Sequence, residues 1–237
     1  MADPKKHHYN PRYYLERFES DDGQLWRLDK ETAKVIQGSA KSLGYKKYWN
    51  RLKEPPQEIN ANWIEYRISD IDGASAKVIS GIVERDPPES IAPLAAAISF
   101  MQNHQPRLKR ELQLQHRDRV ANWSDDYFLI VGVWTALKNW REYIPATYAV
   151  LTLPDDRPEW RFLTSSNPLI SYANKPRMLL PISSRHCLLL NNGSDLVPFG
   201  SGYMQLKGEE MLIGINRHTV ENSWQYVYSC RPDFAPL

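Results

Sequence analysis

In DDYFLIVGVWTALKNWREYIPATYAVLTL, residues 125–153, two kinds of pattern meet. DDYFLIVGVWTALKNWREY (125–143) fits a helix, whereas ATYAVLTL is a short run of β-forming residues. Downstream, EWRFLTS, RMLLPIS and HCLLL continue in the second manner, separated by the turn formers DDRP, SNP, NK and NNGSD. MLIGI predicts one more strand. NRHTVENSWQYVYS then predicts a closing helix, with Asn216 as its N-cap and Val220, Trp224 and Val227 inward.

Upstream the long patterns are helical. Residues 59–84 place Ile64, Ile68, Ile71, Val78, Ile79 and Ile82 on one stripe, after the breaker EPPQ. Residues 90–120 repeat the pattern through Ile91, Leu94, Ile98, Met101, Leu108 and Leu112. Before them, PRYYLERF (11–18) suits a short helix with Pro11 in its first turn, and QLWRLDK with AKVIQGS predicts a hairpin. The expectation is an α+β fold in a single domain, residues 1–237: a layer of long helices and an antiparallel or mixed sheet. Its parts are an N-terminal motif and hairpin (1–53), a helical region (56–143) and a β-rich region with the closing helix (145–237). The hairpin needs strand partners, which favours one interlocked domain over two.

Composition narrows the function classes. With 42% apolar and 24% charged residues, the chain reads as an ordinary globular protein. Its apolar runs are too short to span a bilayer, and MADPKKHH is no secretory signal, so a cytoplasmic location without membrane contact is expected. Two cysteines, Cys187 and Cys230, do not make a disulfide framework and read as reduced thiols. The net charge of +2 is unevenly spread: residues 1–53 hold twelve Lys/Arg against seven Asp/Glu, and residues 54–104 three against eight. Basic stretches there and at 105–122 could face an anionic partner, nucleic acid or nucleotide, or simply pair with the acidic middle. A phosphate-binding glycine loop, GxSxG, HExxH and paired CxxC are all absent, so common NTPases, Rossmann dehydrogenases, zincins and zinc fingers have no support, no metal ligands are assigned, and any cofactor is unknown from sequence.

Several residues carry potential chemistry. In HHYNPRYYLERF (7–18), His7 and His8 sit directly before patterned sequence, where one histidine can face inward as an acid–base group or as a packed, hydrogen-bonded side chain. Glu65 and Asp72 line one edge of the 59–84 stripe, two turns apart. That is roughly 10 Å along the axis, too far to share one metal. Gln102 and Gln105 fall where leucines are expected, and Pro106 leaves the Gln102 carbonyl without its helical donor, flanked by His104 and Arg107. Ser165, Ser166 and Asn167, in TSSNP, suit either ligand contact or a plain turn. His186 and Cys187 alternate in a strand, a weak signal for a thiol nucleophile.

HHYNPRYYLERF resembles the opening of a bacterial uncharacterised family, domain of unknown function 4238, whose members begin His-Tyr-x-Pro-x-x-Tyr/Phe-Leu-x-x-Phe. The resemblance extends to QLWRLDK, the helix around Glu65 and Asp72, the Gln-then-Pro segment MQNHQPR, FLTSSNP and the final VYS. It implies that His8, Tyr9, Pro11, Leu15, Phe18, Glu65, Gln102, Ser165, Asn167 and Pro168 take the family's landmark places. Ser166 departs from the pattern, standing where the family usually has Asp. No activity comes with the resemblance. Two expectations follow. One is a hydrolase of a phosphodiester or nucleotide, with His8 as acid–base group, Glu65 or Asp72 orienting it or holding a cation, and His7, Gln102, Ser165, Ser166 and Asn167 binding substrate. The alternative is a non-catalytic binding or regulatory module that contacts nucleic acid or a protein partner.

Overall fold

A computed structural model of the chain describes residues 6–8, 10–47, 50–55, 57–86, 90–103, 112–145, 147–171, 177–191 and 202–234, with the side chains of 6–8 and 46 outside the description. Strand β1 (Lys6–His8) leads into helix α1 (Arg12–Leu15), which a 3-10 turn extends through Phe18. Strands β2 (Leu25–Asp29) and β3 (Lys34–Gly38) form the expected hairpin, followed by α2 (Ala40–Leu43) and β4 (Tyr45–Lys47). The helical part comprises α3 (Trp63–Val83), α4 (Ala92–Asn103), α5 (Arg117–Val120) and α6 (Asp125–Asn139). Then come β5 (Thr147–Thr152), β6 (Thr164–Ser165), β7 (Ile170–Ser171), β8 (Arg177–Pro181), β9 (His186–Asn191) and β10 (Gly202–Gln205). Helix α7 (Glu209–Asn222) and β11 (Tyr226–Ser229) close the chain.

The strands make a mixed sheet in the order β10-β5-β9-β8-β7, an antiparallel sheet β3-β2-β11-β6, and a ribbon of β1 with β4. Only β10 runs parallel to its neighbour among these pairs. The N-terminal hairpin does join strands from the far end of the chain: Val227 of β11 stands opposite Leu28 of β2. The fold is α+β in one domain, as the patterns predict.

Side-chain alternation sorts the mixed sheet into two faces. Val150, Leu180, Leu188 and Leu190 point to a core shared with Tyr14, Leu15 and Phe18 of the opening segment, Val78, Ile79 and Ile82 of α3, and Leu94, Ile98 and Met101 of α4. Leu151, Leu179 and Cys187 point the other way, to Leu212 and Ile215 of α7. Tyr14, Leu15 and Phe18 have no exposed surface, so the opening segment is a wedge between sheet and helices. Burying each such side chain contributes about 1.5–3 kcal/mol. A third cluster, Leu52, Ile64, Phe100, Val133 and Ala136, joins α3, α4 and α6 into the expected helical layer.

Three local expectations are corrected. The second long helical pattern is not continuous: beyond α4 (Ala92–Asn103), residues 112–115 are helical and a bend at His116 separates them from the short α5, with 104–111 outside the described residues. MLIGI is not a strand but the first half of α7, because Leu212, Ile215 and Thr219 recur at helical spacing and bury together. Asn216 is consequently mid-helix rather than an N-cap, and VYS is strand β11. Buried Asn216 takes a hydrogen bond from the Leu163 amide at 2.9 Å and gives one to the Arg161 carbonyl at 2.9 Å. Its side chain thus serves the backbone of EWRFLTS as a strand partner would, and only Thr164–Ser165 of that run is strand. Both cysteines are free thiols, and no described helix is long and apolar enough to cross a membrane.

Candidate functional site

The site grows from the opening segment. His7 and His8 belong to β1 by their backbone, with His8 opposite Tyr45 and His7 opposite Lys46, so the pair is part of the fold. Their side chains, Tyr9, and His104, Gln105, Pro106 and Arg107 lie outside the described residues. Asn10 precedes Pro11, which favours extended backbone, and Pro11 then starts α1 by accepting from the Tyr14 and Leu15 amides at 3.1 Å. Tyr14 anchors this turn: its hydroxyl donates to the Pro181 carbonyl at 2.6 Å and bonds the Thr164 hydroxyl at 2.7 Å. With α1 so fixed, Asn10 reaches the 165–167 turn while Tyr13 reaches α3.

Helix α3 carries Glu65 and Asp72 two turns apart. The fully buried Asn50 donates its amide to Glu65 Oε2 at 2.7 Å. Asp72 keeps some exposed surface, but burial of its carboxyl, helped by the charge of Glu65, pushes it up to about 8. Such a carboxyl still carries its proton at neutral pH. Burial, then the Asp72 charge, pushes the Tyr13 phenol well above its usual range, against a hydrogen bond with Ser75 that lowers it. The Asn10 carbonyl oxygen Oδ1 is buried with no hydrogen-bond partner among the described residues. Among those residues no three His, Cys, Asp or Glu side chains cluster as ligands for a metal.

The expected ligand-binding residues form a separate brace. Asn10 Nδ2 donates to the Ser165 carbonyl at 2.7 Å, and Gln102 Nε2 donates to Asn167 Oδ1 at 2.7 Å. The Ser165 hydroxyl bridges to the Asn167 backbone, and Asn167 Nδ2 donates to the Asn222 carbonyl at 3.3 Å. Ser166 accepts from the Gln225 and Tyr226 amides, each at 3.3 Å. These groups satisfy one another and tie α4 to β6 and the end of α7. An aspartate at position 166 could accept the same two amides, so Ser166 preserves the turn.

His186 and Cys187 do not make a nucleophile. His186 Nδ1 pairs with the Ser183 hydroxyl at 2.9 Å, and burial, then nearby arginines, lowers its pKa. Cys187 is wholly buried, which pushes its thiol far up, and an inert thiol results.

Glu65 and Asp72 lie two turns apart on α3 and interact through charge, and Gln102, Ser165, Ser166 and Asn167 form the brace that Asn10 links to α1. Sequence reasoning missed Asn10, Tyr13 and Asn50. Asn10 and Tyr13 lie inside the quoted motif, where Asn-Pro was the available signal; Asn50 sits in an aromatic, basic run without periodicity.

The family model described as "Protein of unknown function (DUF4238)" matches residues 6–233. No curated protein and no solved structure matches the chain.

Proposed function

We propose that this chain, which belongs to the DUF4238 family, is a hydrolase of a phosphodiester or nucleotide whose acid–base centre is the Glu65–Asp72 edge of α3. One feature carries the reading: burial, helped by the charge of Glu65, pushes the Asp72 carboxyl up to about 8, while a buried asparagine fixes Glu65 two turns earlier on the same helix. Pairs of acids in unlike surroundings are how one site supplies both a donor and an acceptor of protons. Asp72 gives its proton to the departing oxygen. Glu65, steadied by Asn50, orients the attacking water. His8, whose strand ends two residues before Asn10, takes the water's proton near neutral pH. The basic balance of residues 1–53 supports an anionic substrate.

The brace of Gln102, Asn167, Ser165 and Asn10 favours a second reading, a non-catalytic binding or regulatory module. Gln102, Ser165 and Asn167 are tied to one another and to Asn10 by direct hydrogen bonds, as in a structural network. One experiment separates the two. Purified protein is incubated with RNA, single- and double-stranded DNA and common nucleotides, with and without divalent metals, beside folded Asp72→Asn and His8→Ala. The hydrolase reading expects turnover that falls at least about 100-fold in each variant. Absent turnover, or turnover that both variants retain, would overturn it, and binding without turnover would favour the module.

A further inference from the structure

Helix α7 does not fill the sheet face it covers. Met211, Gly214, Ile215 and His218 recur along it at i, i+3, i+4 and i+7, and line one wall of an open cavity of about 330 Å³. The other wall is Leu151, Leu179, Leu189 and Met204, one each from β5, β8, β9 and β10, on the face of the mixed sheet turned away from α3. The gap in the helical stripe is Gly214. Its backbone is helical, and an added Cβ would meet nothing within 4 Å, so neither a turn nor a close approach requires glycine. Glycine inside a helix is less stable than alanine. At exposed Gly73 the same open space is bulk water, but Gly214 is half-buried and the space before it is the cavity.

We propose that this cavity is a binding site for a small apolar molecule, an alkyl chain or a fused aromatic ring. The site is separate from the Glu65–Asp72 edge and does not depend on the hydrolase reading. Apart from Gly214, its walls are leucine, isoleucine and methionine side chains and one ionisable group, His218, whose Nδ1 is engaged with Glu221 at 3.1 Å. A phosphate or nucleobase there would leave polar groups unmet, whereas an apolar molecule meets apolar surface from both walls. An apolar cavity of about 150 Å³ holds a benzene ring, so about 330 Å³ has room for roughly ten to twelve carbons. Met204 and Met211, 37% and 57% exposed, are flexible side chains that can close on occupants of different shape. A protein partner fits less well. A stable interface needs roughly 1,000 Å², and the chain neighbours of the two methionines, Gln205 and Glu210, are exposed polar residues that bound the apolar surface.

The test is a titration of the protein with naphthalene or 1-decanol, followed by carbon-13 NMR of the methionine methyls, with Met204→Leu and Met211→Leu to assign the two signals. Of the five methionines, Met204 and Met211 are expected to shift together and to saturate. Gly214→Leu, which fills the cavity, is expected to weaken binding at least about tenfold. Should that variant not fold, Leu189→Phe fills the cavity from the sheet side and is expected to do the same. Shifts that never saturate, that spread alike over all five methionines, or that persist at full strength in the folded filled variant overturn the proposal. So do shifts of these two methyls with protein concentration alone, which would make the face an interface between copies of the chain.

Discussion

Asp72→Asn replaces a carboxyl with a neutral amide of nearly the same shape, and its effect on stability should depend on pH. Burial, then the charge of Glu65, holds Asp72 at about 8 in the folded chain against an ordinary value of 3.8. Between those values the folded chain binds a proton that the unfolded chain has lost. The contribution of Asp72 is thus fully present below about pH 4 and drains away as pH rises to about 8. A gap of about four units, at about 1.36 kcal/mol each, sets a ceiling of roughly 5–6 kcal/mol. Because Asp72 keeps some contact with water, about half that ceiling, roughly 3 kcal/mol, is the expected loss. For a chain of this size that corresponds to about 6–12 °C in melting temperature. Urea denaturation from about pH 4 to pH 9 measures it directly. Asp72→Asn should gain on the unaltered chain steadily across this range. Parallel stability curves for the two proteins would refute the reasoning, since they would mean that Asp72 titrates alike in folded and unfolded chains.

Tyr14→Phe keeps the ring but removes the hydroxyl shared by Pro181 and Thr164, and should cost about 1–3 kcal/mol in urea denaturation; an unchanged midpoint would contradict the anchoring role. Asn216→Ala leaves both the Leu163 amide and the Arg161 carbonyl unmet inside the fold, and about 2–4 kcal/mol should be lost by the same measurement. Gly73 lies within α3 where an added Cβ meets nothing within 4 Å, so Gly73→Ala should raise thermal stability by about 0.5–1 kcal/mol; a loss would mean that the surface of α3 is covered there.

The parts of this fold legible in the sequence are those that a local period determines. The stripe of α3, the inward face of α4 and the β2–β3 hairpin repeat at fixed spacing, and the structure buries Ile64, Val78, Ile79, Ile82, Leu94, Ile98 and Met101 accordingly. MLIGI defeated the same reasoning because five residues fit either period. What decides it is the sheet face on which Leu212 and Ile215 land, a contact distant in sequence. Asn216 shows the limit most clearly: a helix-start signal read locally, it is in fact a buried bridge to residues more than fifty positions away. The site divides in the same way. Glu65 and Asp72 were legible as stripe-edge acids on one helix. The partner that fixes Glu65, Asn50, comes from elsewhere in the chain, and no spacing rule relates the two.

The account stands most directly on the pH dependence of turnover. On whichever phosphodiester or nucleotide the protein hydrolyses, kcat/KM should fall above about pH 8 as Asp72 loses its proton, and Asp72→Asn should retain at most about one part in 100 of the activity while folding normally. Activity that persists well above that pH, or a folded Asp72→Asn that turns over as fast as the unaltered protein, would contradict the assignment of Asp72 as the acid.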